Sequence, residues 1–253
     1  MWKLNQFNYS RRPSNDIKIG NLLMGGSQPV RVQSMANTDT NDIPNSVAQC
    51  LRIVEAGGEL VRFTTQGIRE AENLGKIHDE LRKQGCDVPL VADIHFNANA
   101  ADEAALHVEK VRINPGNYVG SIKIGDTSDY TDAEFETEYQ KVRSRFIPFL
   151  NICKEHNTAI RIGVNYGSLS ERMMNRYGDT SRGMVESCME FLRICGEENF
   201  TNVVISMKTS NTVMMVQTVR LLVDEMAKEN LHFLLPFHLP TIGQFVPSSP
   251  CWT

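Results

Sequence analysis

The chain has 253 residues, a net charge of −4 at pH 7 and hydrophobic residues at 41% of its positions. This length suits one α/β barrel, and the acidic balance argues against nucleic-acid binding, which favours a basic surface. The N-terminus lacks a long apolar run and no segment approaches a membrane span, so we expect a cytoplasmic protein that binds neither membranes nor nucleic acids.

The first elements predicted along the chain are a hairpin within residues 11–30 and a strand over residues 30–35. Helical patterns follow, over residues 47–54, 68–83, 97–108, 135–149, 169–177, 182–198 and 212–228. Between them lie short apolar runs rich in β-branched residues, at 60–65, 89–95, 110–114, 159–165 and 203–208. Short runs of this kind, each followed by a helix, are typical of a parallel sheet that helices cover.

The last part of the chain differs in composition from the rest. Residues 230–253 contain no Asp, Glu, Lys or Arg, and four of the ten prolines lie between Pro236 and Pro250. Proline-rich segments are poor barrel strands. We therefore count about six clear strands of the eight in a TIM-type (β/α) barrel. We expect an incomplete barrel over residues 1–233, followed by an aberrant tail over residues 234–253.

Basic side chains stand at the ends of the predicted strands. Arg62, Arg112, Arg161 and Lys208 occupy equivalent positions in four of the runs. The carboxyl ends of the strands in a barrel converge on one mouth, and arginine forks bind phosphate oxygens bidentately. The pattern predicts a diphosphate site, although each cation could instead pair with a carboxylate at the barrel rim.

Other polar residues follow the same strands. Asp93 and His95 flank one apolar residue, so both should face the same side and could hold a substrate hydroxyl or transfer a proton. Alternatively, the two form a hydrogen-bonded pair that supports the loop. Asn114 and Asn165 could bind a polyol or stabilise a turn, and Ser210 could line the site or cap the next helix.

The six cysteines predict no metal site in this chain. None forms a CxxC pair, and Cys188 and Cys195 lie seven residues apart on an apolar helix face. Buried thiols in the core are therefore expected. Neither a dinucleotide fingerprint nor a P-loop is present.

Several motifs together resemble the barrel of a known enzyme family. They are Val32-Gln33-Ser34-Met35, Pro89-Leu90-Val91-Ala92-Asp93-Ile94-His95-Phe96, Arg112-Ile113-Asn114-Pro115-Gly116-Asn117, Arg161-Ile162-Gly163-Val164-Asn165 and Ser206-Met207-Lys208-Thr209-Ser210. In this order they resemble the N-terminal barrel of 4-hydroxy-3-methylbut-2-enyl diphosphate synthase, over roughly residues 11–230. The additional segment near residues 118–138 resembles the long form of plants, chlamydiae and the Bacteroides group.

The resemblance implies a late step of the non-mevalonate isoprenoid pathway. In that step, 2-C-methyl-D-erythritol 2,4-cyclodiphosphate is reductively opened to hydroxymethylbutenyl diphosphate, with ferredoxin or flavodoxin as electron donor and a 4Fe–4S cluster as cofactor. A homodimer is expected for the full-length form. The positions that match the family's substrate shell are Arg62, Asp93, His95, Arg112, Asn114, Arg161, Asn165, Lys208 and Ser210, with Asp93 and His95 as the predicted catalytic residues.

The chain departs from the family after Phe233. The family's seventh strand continues into a Gly-Val-Thr-Glu-Ala-Gly motif, and a C-terminal domain supplies the cluster ligands; neither is present here. An abrupt change of this kind is typical of a reading-frame shift, so we expect a truncated barrel that is inactive alone. The alternatives are a cluster-independent pterin- or phosphosugar-type barrel transferase and a non-catalytic binding fragment.

Overall fold

A computed structural model describes residues 14–94, 96–119 and 130–233 of the chain. The predicted tail, residues 120–129 of the additional segment near residues 118–138, and His95 lie outside the described residues. The predicted N-terminal hairpin is confirmed, with strands β1 (Asp16–Ile19) and β2 (Leu22–Gly25) paired antiparallel.

Six parallel strands form the main sheet, as predicted. In chain order they are β3 (Gln33–Met35), β4 (Leu60–Thr65), β5 (Leu90–Ile94), β6 (Lys110–Ile113), β7 (Ala159–Asn165) and β8 (Val203–Lys208). Each pairs with the next strand along the chain, so the order in the sheet is the order in the sequence. This sequential, parallel order is that of a (β/α) barrel, and here it covers the six strands that the sequence predicts.

Helices cover the outer face of the sheet. They are α1 (Ile43–Glu55), α2 (Ile68–Lys83), α3 (Ala98–Ala105), α4 (Pro115–Tyr118), α5 (Asp132–His156), α6 (Glu171–Tyr177), α7 (Ser181–Glu197) and α8 (Thr212–Lys228). The main apolar core lies between this layer and the sheet, where Phe63 of β4 belongs to the same buried cluster as Phe146 and Phe191. None of the described helices has the length and apolarity to cross a membrane.

The sheet is strongly curled. The Lys110 ammonium on β6 donates to the Gln33 side-chain oxygen on β3 at 3.1 Å. These strands are three positions apart in the sheet, which would separate them by roughly 14 Å if the sheet were flat. Side chains of lysine and glutamine cannot bridge that distance from one flat face. The contact therefore requires the strands to wrap around a common interior.

The hairpin closes one end of this interior. Ile17 and Ile19 are buried and form a small cluster with apolar residues from the strands. The strand members of that cluster are Leu60, Val91, Ala159 and Val204. We call these six residues the apolar floor. Because most of them stand near the amino ends of the strands, the opposite, carboxyl end is the open mouth.

Three elements differ from the sequence prediction. β3 begins at Gln33 rather than residue 30, because the Val32 backbone amide is held by the Glu59 carboxylate at 2.8 Å instead of by a strand partner. The short helix α4 was not predicted; the Asn114 side chain caps it. α5 starts at Asp132, three residues before the predicted helical pattern, because Thr131 and Glu134 form a capping box there.

The apolar floor yields a test of the fold. We predict that Ile19→Ala lowers the free energy of unfolding by about 2–4 kcal/mol, because Ile19 is fully buried and the hairpin cannot fill the cavity. Leu23→Ala on the same hairpin is the control, since Leu23 is 41% exposed and its truncation should cost less than about 1 kcal/mol. Urea unfolding of both variants measures the difference. Equal losses would show that the hairpin does not seal the barrel.

Candidate functional site

The strand register places the predicted site residues on the inside of the sheet. Thr64, Asp93, Arg112 and Arg161 are level with one another across β4 to β7. Side chains two residues apart on a strand share a face, so the residues above and below this row point inward as well. The row therefore forms one layer of the barrel interior, on the mouth side of the apolar floor.

Asp93 organises two of the arginines. Its carboxylate accepts hydrogen bonds from the guanidinium groups of Arg62 on β4 and of Arg112 on β6, the latter at 3.3 Å. Asp93 is 2% exposed, and both contacts are ion pairs. One buried carboxylate thus fixes cations from the strands on either side of it.

Arg112 and Arg161 are held further by β7 and β8. Arg112 Nη2 donates to the Gly163 carbonyl oxygen at 3.2 Å, and Arg161 Nη2 donates to Ser206 Oγ at 2.9 Å. A Cβ at Gly163 would lie 2.7 Å from Arg112 Nε, closer than atoms can approach. Glycine at this position therefore makes room for the guanidinium.

Lys110 adds a fourth cation that the site prediction missed. It lies two residues before Arg112 on β6, is 2% exposed and donates to Gln33 as described above. Its position at the same inward face of the strand was the signal available in the sequence. The predicted site does not include Lys110, because it rests on residues at the carboxyl ends of the strands.

These side chains concentrate positive charge in a buried space. In the described part of the chain, Asp93 is the only carboxylate within ion-pair distance of Arg62, Lys110, Arg112 or Arg161. Among the same residues, the buried Nε of Arg62 has no hydrogen-bond partner. Four cations facing one carboxylate leave unused donors and an excess of positive charge, which an anion would neutralise.

The pKa values of the cluster reflect the same imbalance. Burial, followed by the nearby charges of Arg161 and Arg62, lowers the pKa of Lys110 from 10.5 to about 7. Burial, then Arg62 and Arg112, lowers the pKa of Arg161. Because the pKa of a guanidinium is ordinarily above 12, the arginines stay charged near neutral pH, and lysine is the group that can release its proton.

The remaining predicted residues lie at the rim. Asn165 is half-buried and pairs in register with Lys208, which is exposed at the end of β8. Ser210 is exposed beside them, and the cap of α8 is Asn211 rather than Ser210. Asn114 is buried and serves local structure, since its oxygen accepts from the Gly116 amide at 3.2 Å.

The five cysteines that the structure describes do not fit an iron–sulfur cluster. Cys50, Cys153, Cys188 and Cys195 are buried, as predicted for core thiols, and Cys86 is half-buried. Within residues 14–94, 96–119 and 130–233, no three His, Cys, Asp or Glu side chains are grouped as metal ligands. Such a cluster usually needs several converging thiolates.

Comparison with known proteins identifies relatives over nearly the whole chain. The family model of the GcpE TIM-barrel domain matches residues 14–240. The 4-hydroxy-3-methylbut-2-en-1-yl diphosphate synthase (flavodoxin) of Parabacteroides distasonis is 63% identical over 233 residues, or 92% of this chain and 38% of that protein. The synthase (ferredoxin) of a Synechococcus strain is 47% identical over 90% of this chain and 57% of its own length. The chain therefore spans well under two thirds of these relatives.

Solved structures support the fold alone. A type I 3-dehydroquinate dehydratase from Clostridium difficile has a TM-score of 0.52 at 10% identity and covers 88% of this chain and 79% of its own. A 7,8-dihydropteroate synthase from Vibrio fischeri has a TM-score of 0.50 at 11% identity, over 88% of this chain and 77% of its own.

The buried lysine leads to a prediction about stability. Between pH 7 and 10.5 the unfolded chain binds a proton at Lys110 that the folded chain does not. The free energy of unfolding therefore rises with pH over this range, so Lys110 lowers the stability of the fold most below pH 7 and less as the pH rises. We predict that Lys110→Met raises the free energy of unfolding by on the order of a few kcal/mol at about pH 6, and by less at about pH 9.5. Lys18→Met, at an exposed lysine, is the matched control. A gain that does not change with pH would contradict this reasoning.

Proposed function

The chain belongs to the GcpE TIM-barrel family, and we propose that its mouth binds 2-C-methyl-D-erythritol 2,4-cyclodiphosphate for reductive ring opening to hydroxymethylbutenyl diphosphate. The cluster of three arginines and Lys110 around Asp93 is the observation that carries this proposal. The cyclic diphosphate is a compact dianion, and its two negative charges match the net charge of the three arginines and Asp93. Relatives of this chain carry the name of a synthase for this product.

Each site residue has a proposed part in binding. Arg112 and Arg161 lie side by side in register and bind the phosphate oxygens, since guanidinium forks suit bidentate contact. Arg62 contributes its unpaired Nε and is oriented by Asp93. Lys208 and Ser210 contact the ligand from the rim. This division follows burial, because buried donors bind the charged groups most strongly.

The polar groups of the substrate need partners other than cations. We propose that Asn165 binds a hydroxyl of the erythritol chain and that Asn114, whose oxygen caps α4, contributes from its position directly after β6. Asp93 and His95 remain the predicted proton-transferring residues. The two arginine donors favour the carboxylate form of Asp93, which suits a group that accepts a hydrogen bond from the substrate.

Redox chemistry needs groups that the described residues do not supply. The described cysteines do not fit a 4Fe–4S cluster, so no step through it is assigned to this chain. We propose that the barrel supplies substrate binding, that cluster ligands come from another domain or chain, and that flavodoxin or ferredoxin delivers the electrons, as the names of the relatives suggest. A homodimer is proposed for the full-length form. The pterin- or phosphosugar-type alternative is not favoured, since the family match points to the synthase.

The arginines provide the first test of the binding proposal. We predict that Arg112→Ala and Arg161→Ala each weaken cyclodiphosphate binding by about 1.5–3 kcal/mol, because each removes a charge-assisted contact. Titration calorimetry on the folded chain measures the loss. Arg143→Ala is the matched control, because Arg143 pairs with Glu197 on the outer surface. Unchanged affinity in both site variants would remove the diphosphate assignment.

A second test acts on geometry without removing any charge. We predict that Gly163→Ala weakens binding about tenfold, because the new methyl group displaces the Arg112 guanidinium. In an Arg112→Ala background the same substitution should have little effect, since the group it displaces is gone. Calorimetry on the four proteins of this double-mutant cycle gives the coupling. Additive effects would show that Gly163 does not act through Arg112.

A further inference from the structure

Lys110 has no assigned part in the contacts proposed above. It lies deeper in the barrel than the row of Asp93, Arg112 and Arg161, level in register with Val91 and Ala159 of the apolar floor. A charged side chain at such depth is costly unless it is paired with an opposite charge. Within the described residues, no carboxylate lies within ion-pair distance of its ammonium.

The groups that face Lys110 come from every neighbouring element. Gln33 of β3 accepts its hydrogen bond, and the β1–β2 hairpin contributes the apolar Ile17 and Ile19 to the floor below. Arg62 of β4 is level with Lys110 in register, and the charged and polar side chains on the mouth side are Asp93 of β5, Arg112 of β6, Arg161 of β7 and Ser206 of β8. The charges of Arg161 and Arg62 act directly on the ammonium and disfavour its charged form.

A bound dianion would reverse this balance. In the empty barrel, burial and the arginines favour neutral lysine, whose pKa of about 7 allows loss of the proton near physiological pH. Two negative charges among the arginines would offset their repulsion and favour the ammonium form. Arginine cannot respond in this way, because it remains protonated in both states. Of the four cations, lysine is the one whose charge can follow the ligand.

We propose that Lys110 takes up a proton when a diphosphate occupies the mouth, so that the barrel gains its fourth positive charge only with the ligand bound. This inference rests on the proposed function. Below about pH 7 Lys110 is already protonated in the empty barrel, so ligand binding takes up few protons. Above about pH 7 Lys110 is neutral in the empty barrel, so proton uptake on binding approaches one proton per ligand. Affinity should then fall as the pH rises, by up to about tenfold per pH unit.

Titration calorimetry in buffers of different ionisation enthalpy counts the protons directly. The probe is 2-C-methyl-D-erythritol 2,4-cyclodiphosphate, whose phosphates each carry one strongly acidic oxygen and do not titrate near neutral pH. At about pH 8 we expect the wild-type chain to take up close to one proton per ligand. Lys110→Met and Lys110→Gln should take up almost none, and Lys18→Met should behave as wild type.

The possible outcomes distinguish a failure of this inference from a failure of the proposed function. Binding by the wild-type chain without proton uptake would overturn the role of Lys110 and leave the diphosphate site intact. Uptake that persists in a folded Lys110→Met or Lys110→Gln variant would assign the proton to another group and also overturn it. If neither variant folds, the wild-type proton count still decides. Absence of binding by the folded wild-type chain would contradict the proposed function, and this inference with it.

Discussion

The burial of several positive charges beside a single carboxylate is the constraint on which this structure depends. Arg62, Arg112 and Arg161 each come from a different strand, and Asp93 contacts two of them. In water such a group would be dispersed by repulsion and hydration. Here the strands hold the charged side chains in place, and the packing of the barrel offsets the electrostatic cost of burying them. A site of this kind is complementary to an anion before any anion arrives.

The rest of the architecture serves this arrangement. Curling of the sheet brings β3 and β6 together, which is why a side chain of each can meet inside. The hairpin covers the amino ends of the strands with an apolar floor, so the charged layer lies on the carboxyl side of that floor. Glycine at position 163 leaves room for a guanidinium where any larger residue would collide with it. The outer helices carry the main core and leave the interior free for polar residues.

Much of the fold follows from periodicity in the sequence. The strands end where the apolar runs end, and helices α2 and α8 cover the ranges that their patterns predict. The two helices that periodicity did not predict correctly, α4 and α5, have local causes. An Asx cap at Asn114 starts the short helix α4. A capping box at Thr131 starts α5 three residues before the helix that periodicity predicts. Both signals lie in single side chains, which periodicity cannot detect.

The site was only partly predictable. Strand pleating places Arg62, Asp93, Arg112 and Arg161 on one face, and they lie close together in the structure. The ion-pair partners of these arginines were not predictable from the sequence. Whether each arginine pairs with its own carboxylate at the rim or several share Asp93 depends on distances in three dimensions. Lys110 escaped notice since it stands at the start of its strand, where a lysine usually reaches solvent. Only the curl of the sheet turns that position into a buried one.

A crystal structure of the chain with the cyclodiphosphate bound would test the central claim most directly. We expect the two phosphates to lie at the carboxyl ends of the strands, within hydrogen-bond distance of the guanidinium groups of Arg112 and Arg161. The ligand should be oriented with its carbon chain toward Asn165. Density for the ligand on the outer helices or at the hairpin end, with the arginine cluster unoccupied, would contradict the account.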